Sequence, residues 1–204
     1  MTAATYKWSI KDWHQLIESG LLEGKSVQLL DGDIIEMSPE REEHSYTNDD
    51  VADLLRQQLK GLAKIRESHP VTLDNSPHSR ASEPEPDIAV VRLPKTIYSQ
   101  HHPYPEDIYW LIEVRPRVGD RRKGMRTCEI SNKTLKIDLE QKSKIYARNN
   151  IAEYWVIDLV NKKLVVHTQP QGDLYQQITE YKTGTVTPQA FPNIAIQLNK
   201  MLLF

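Results

Sequence analysis

The chain has 204 residues, 39% of them hydrophobic and 26% charged, which fits one core-forming soluble domain and excludes a disordered polymer. The formal net charge of −2 excludes binding by general attraction to phosphate over the whole surface; any nucleic-acid contact has to come from a local basic patch. One cysteine, Cys128, excludes an internal disulfide, no apolar run approaches the ~20 residues of a membrane span, and no signal-peptide pattern is visible, so a cytoplasmic setting is expected.

Ser9-Ile10-Lys11-Asp12 resembles a capping box and predicts a short helix to about Ser19, stopped by Gly20. A hairpin follows: Val27, Leu29 and Leu30 lead into Asp31-Gly32, a pair suited to a type I′ turn, and Ile34, Ile35 and Met37 lead out. From about Glu43 to Leu62, Val51, Leu54, Leu55, Leu59 and Leu62 recur at helical spacing. Val71 to Leu73 reads as a short strand, before a cluster of Pro, Ser and Asn. Ile88 to Val91 and Ile108 to Val114 are continuous apolar runs, the pattern of central strands covered on both faces. Lys133 to Arg148 predicts a helix, with Asn149-Asn150 as a left-handed cap. Tyr154 to Asp158 is a further buried strand. Leu164 to His167, Tyr175 to Tyr181 and Ile194 to Leu198 predict strands of a more exposed sheet region. The apolar C-terminus, Met201 to Phe204, suits either the core or an interface. With no repeat and no linker, the expectation is a single α/β (α+β) domain over 1–204, a mixed β-sheet flanked by helices.

Three features carry chemistry. Glu83-Pro84-Glu85-Pro86-Asp87 runs directly into the strand Ile88 to Val91. Glu113 ends the strand that begins at Ile108. Asp138, Lys142 and Tyr146 are spaced by four and share one helix face. Acids at the ends of neighbouring buried strands can converge on a hard cation, which takes oxygen ligands and keeps waters. Such an ion makes a bound water more acidic and neutralises charge developing on phosphorus, and a nearby lysine can steady the same charge. Each piece has an ordinary structural explanation too. Asp87 can cap a strand start, Asp138 and Lys142 make a surface pair worth about 0.3–0.5 kcal/mol, Tyr146 can be core, and His44 near a helix start can be structural.

Taken in order, these segments resemble the PD-(D/E)XK superfamily of restriction-endonuclease-like nucleases. They resemble more closely a large family of endonuclease-like proteins, abundant in cyanobacteria and long labelled a domain of unknown function. The matching text covers nearly the whole chain: the Trp8 helix, Leu29 to Pro39, His44, Glu83 to Val91, Ile112-Glu113-Val114, Asp138 to Lys142, Tyr146-Ala147 and Glu153 to Asp158. The resemblance implies a restriction-endonuclease-like fold and an endonuclease that hydrolyses DNA with metal-activated water, using Mg2+ (or Mn2+) and no organic cofactor. It implies Asp87 and Glu113 as metal-binding carboxylates, the backbone carbonyl of Val114 as a further ligand, and Lys142 as the catalytic lysine. It also implies a homodimer, because two strands need two sites.

The sequence departs from the family text in two places. Gln28 stands where a glutamate usually precedes the Leu-Leu-Asp-Gly hairpin. A basic insertion over about 115–130 separates Glu113 from Ser131-Asn132-Lys133-Thr134-Leu135-Lys136. The plain superfamily lysine position holds Arg115, which stays protonated and cannot act as a base. The insertion ends in Glu129, an alternative motif acid; Glu113 is preferred because it belongs to the buried strand. Arg115, Arg117, Arg121, Arg122 and Lys123 are candidate DNA contacts, and Gln28, His44, Glu129, Asp138 and Tyr146 candidate supporting residues. The alternative to an enzyme is a degenerate nuclease fold acting as a nucleic-acid-binding or interaction module.

Overall fold

A computed structural model of the chain describes residues 5–37, 39–73, 81–115 and 139–202. Helix α1 (Ile10–Glu18) begins as its sequence predicts: the Ser9 hydroxyl accepts from the Asp12 N–H at 3.1 Å, completing a capping box with the Asp12 side chain. β1 (Val27–Leu30) and β2 (Asp33–Glu36) form the hairpin, with Asp31 and Gly32 at φ 50° and 76° in the turn. Trp13 of α1 packs against Leu29 of the hairpin and Ala81.

The centre of the molecule is a six-stranded mixed sheet in the order β3-β4-β5-β6-β7-β8. These strands are β3 (Lys64–Glu67), β4 (Ile88–Val91), β5 (Ile108–Arg115), β6 (Glu153–Asp158), β7 (Lys163–Gln171) and β8 (Leu174–Tyr181). β5 and β6 pair parallel, and the other neighbours pair antiparallel. A parallel pair needs a crossover rather than a tight turn, and helix α3 (139–148) lies in that connection. Its cap is as expected, with Asn150 at φ 56°.

The alternation along the strands sorts side chains onto two cores. Ile88, Val90, Trp110, Ile112, Val114, Trp155 and Ile157 face helix α2 (Glu42–Gln58), which contributes Val51, Ala52 and Leu55. Ala89, Val91, Leu111 and Tyr154 face α3, which contributes Ile145, Tyr146 and Ala147. Strands covered on both faces explain why the apolar runs at 88–91 and 108–114 lack alternation in sequence.

The structure differs from the sequence reading in four places. β3 was not expected; its residues Lys-Ile-Arg-Glu carry only one buried apolar side chain, Ile65. Residues 71–73 make a single bridge between Leu73 and Ser82 rather than a strand. α2 ends at Gln58 instead of reaching Leu62, while β7 and β8 are the more exposed end of the sheet, as expected. Ile194 to Leu198 shortens to β10 (Ile196–Gln197), paired with β9 (Thr185–Val186), before helix α4 (Leu198–Met201). α4 settles part of the C-terminal question: Leu198, Met201 and Leu202 are buried in the α2-side core, while 203 and 204 lie outside the described residues. Among the described residues no helix is long and apolar enough to cross a membrane.

Candidate active site

The antiparallel pairing of β4 and β5 brings the start of one strand to the end of the other. Ile88 pairs with Ile112, so one further step sets Asp87 opposite Glu113. The Val114 N–H donates to Asp87 Oδ2 at 2.6 Å, which ties the aspartate to the edge of β5. A strand residue sends its N–H and C=O to the same edge, so the Val114 carbonyl also faces this opening.

Two helices deliver cationic and polar partners. From α3, the Lys142 ammonium lies 3.1 Å from both oxygens of Glu113 and donates to the Glu85 carbonyl at 3.1 Å. One turn later the Tyr146 hydroxyl donates to Glu113 Oε1 at 2.8 Å. Lys142 and Glu113 are only 4% and 3% exposed, so Lys142 is not a solvated surface side chain. A carboxylate buried this deeply requires such partners, because its desolvation is otherwise uncompensated. From the first turn of α2, His44 Nε2 reaches Asp87 Oδ2 at 3.0 Å.

Burial pushes the His44 imidazole down, but the Asp87 hydrogen bond and the charges of Asp87, Glu40 and Glu113 outweigh it and leave its pKa raised. Glu85, half-buried between them in sequence, is raised by burial, an effect partly offset by the charges of Lys142 and His69.

The hairpin closes the remaining side. Leu29 bridges to Glu83, and the Gln28 side-chain amide oxygen, Oε1, accepts from the Glu85 N–H at 3.3 Å. Gln28 therefore props the Glu83-to-Asp87 segment, a contact a carboxylate could also make. Glu83 is a second buried acid. It accepts from the Trp13 indole at 3.1 Å and the Thr72 hydroxyl at 2.8 Å, and its Oε2 lies 2.9 Å from His14 Nε2. These contacts pin α1 to the segment that ends in Asp87.

Of the candidates named from sequence, Asp87, His44 and Val114 meet, and Glu113, Lys142 and Tyr146 meet beside them. Arg115 turns instead to Asp158, 3.1 Å away on β6. Asp138, Glu129, Arg117, Arg121, Arg122 and Lys123 lie outside the described residues. Sequence reasoning missed Glu40. Its carboxylate joins His44 and Asp87 in a group whose ligand atoms all lie within 4.8 Å of one another. The only hint was its place four residues before His44, meaningful once a helix start is known there.

A mixed sheet with acids at adjoining strand ends and a lysine on the crossover helix defines a restriction-endonuclease-like protein. The chain belongs to the Uma2 family, described as "Putative restriction endonuclease", whose model matches residues 11–123 and 127–199. It is also similar in fold to a crystal structure of "a putative nuclease belonging to DUF820" from Anabaena variabilis. That match has a TM-score of 0.58 at 14% identity and covers 87% of this chain and 89% of the other. No curated protein matches the chain.

Proposed function

We propose that this nuclease-family chain is a divalent-metal-dependent DNA endonuclease that cuts phosphodiester bonds with water. The observation that carries the reading is the meeting of Asp87, Glu113 and Lys142 at one pair of strand ends. The donor set suits a hard divalent cation such as Mg2+ or Mn2+, which prefers oxygen ligands: two carboxylates and the Val114 carbonyl. When bound, the ion supplies a more acidic water and neutralises charge on the phosphoryl group.

The chain's own residues do the rest. Asp87, Glu113 and the Val114 carbonyl hold the ion. Tyr146 fixes the Glu113 carboxylate through its hydroxyl. The Lys142 ammonium, between Glu113 and the Glu85 carbonyl, steadies charge at the scissile phosphate or orients the attacking water. Arg115 has guanidinium donors beyond the one spent on Asp158 and serves the DNA backbone, with Arg117, Arg121, Arg122 and Lys123 in the same role. A homodimer presents one site to each strand.

The test is cleavage of plasmid DNA by purified protein with Mg2+ or Mn2+ and with chelator. Wild type should cut only with the ion, and Asp87→Ala and Glu113→Ala should each lose at least ~100-fold, the scale of removing a main electrostatic contributor. Cleavage that survives Asp87→Ala unchanged refutes the reading. Gln28, standing where the family text has an acid, favours a second reading as a DNA-binding module. Magnesium-independent DNA binding with no cleavage by wild type would establish that reading instead.

A further inference from the structure

The imidazole of His44 is an unusual neighbour for a site otherwise built from oxygen donors. Its Nε2 lies 3.0 Å from Asp87 Oδ2. Two donors at right angles around an octahedral ion with bonds of about 2.1 Å are separated by about 3.0 Å, so this spacing suits adjacent ligands. Its Nδ1 is buried and has no hydrogen-bond partner among the described residues, although Glu40 Oε2 stands 3.8 Å away. The His44 side chain is 10% exposed, while that of Glu40 is 47% exposed and free to shift by the small distance a hydrogen bond requires. The Ser45 hydroxyl already holds Glu40 Oε2 on this side of α2, at 3.0 Å.

We infer that His44 is a direct ligand of the metal through Nε2, beside Asp87, with Glu40 receiving the Nδ1–H. The inference deepens the metal-dependent reading and rests on it. In the metal-bound state the Nε2 lone pair faces the ion and the ring proton sits on Nδ1. A carboxylate behind a ligating histidine is a common arrangement that fixes the tautomer and orients the ring. Nitrogen ligation changes which ion the site selects. Mg2+ prefers oxygen, whereas imidazole suits transition metals. The site therefore takes Mn2+, or a later first-row ion, in preference to Mg2+.

Two measurements on the full chain test this, with Mn2+ and Mg2+ as probes. Pulsed electron paramagnetic resonance of the Mn2+-loaded protein should show modulation from a directly bound 14N, absent in His44→Gln, whose side chain offers an oxygen in its place. Calorimetry should give wild type at least tenfold tighter binding of Mn2+ than Mg2+. His44→Gln should narrow that preference, and Glu40→Gln should weaken Mn2+ by about tenfold or more, the scale of losing an outer carboxylate. The wild-type spectrum needs no variant to fold. Bound Mn2+ without 14N coupling overturns the inference and leaves the carboxylate site intact. Failure to bind either ion, with or without DNA, overturns both.

Discussion

The buried pair between Lys142 and Glu113 offers the sharpest physical test of the site. Lys142→Met keeps the length and apolar stem of the side chain but removes the ammonium. The side chains of the pair are 5% and 4% exposed, and the nitrogen lies 3.1 Å from the carboxylate. Removing one partner of a buried pair leaves an uncompensated charge and costs about 3–5 kcal/mol. With a urea slope of ~1–3 kcal/mol/M, the unfolding midpoint should fall by roughly 1–5 M. Trp110 and Trp155, packed together in the core at 5.4 Å between centroids, provide the fluorescence signal. The double variant Lys142→Met/Glu113→Gln removes both charges and should lose less than the two single variants added together. Adding Mn2+ should return part of the lost stability to Lys142→Met, because an ion bound only by the folded state raises its stability. A loss below about 1 kcal/mol, the range of exposed pairs, would refute the claim that this charge is desolvated.

Three other places in the fold carry testable energetics. His167, against Tyr154 and Tyr175 with a buried Nδ1 that has no hydrogen-bond partner among the described residues, has its pKa pushed down by burial to about 4. The unfolded chain therefore takes up this proton first, and stability is lost as pH falls from about 6.5 towards 4. Screened by partial exposure, the loss should be ~1–2 kcal/mol, and His167→Phe should flatten that limb of a pH-dependent urea series. Gly32→Ala should lower the melting temperature by roughly 4–10 °C. Its φ is +76° and a new Cβ would stand 2.8 Å from the Lys7 Cβ, whereas Gly172→Ala, with open space, should cost about 2–4 °C. Arg148 donates to Asp31 at 2.6 Å and Asp173 at 2.7 Å, joining α3 to the hairpin tip and the β7–β8 turn. Arg148→Ala should cost about 1–2 kcal/mol by urea unfolding, and Arg148→Lys should recover only part because an ammonium lacks the fork.

The fold was legible where burial writes a period into the sequence. β4 and β5 are covered on both faces and read as unbroken apolar runs; α2 shows its buried stripe; Asp31, Gly32 and Asn150 occupy the positive-φ positions their residue types favour. β3 escaped because it pairs on one side only, through Lys64 to Glu67 against Val91 to Ile88, and carries charges. An edge strand blunted in this way resembles a polar loop in sequence. The β9–β10 pair is two residues long on each side, too short for any alternation to register.

The site was legible in proportion to how much of it the sheet alone determines. Asp87 and Glu113 are placed by strand ends, so recognising the two apolar runs locates both acids. Lys142 and Tyr146 were visible as a helical face, but not the burial that gives them meaning, since that depends on where α3 crosses the sheet. The approach of Glu40 to Asp87 and the Glu83 cluster are through-space meetings of segments far apart in the chain, and beyond the spacing of Glu40 and His44 no local pattern encodes them. This division has a mechanical consequence. The carboxylates stand at the ends of hydrogen-bonded strands, whereas their partners Lys142 and His44 arrive on α3 and in the first turn of α2. The strand ends therefore fix where the two acids stand, and the helix-borne residues tune what the acids can bind. Conservative changes at Lys142 or His44 should alter ion affinity with little change in the placement of Asp87 and Glu113.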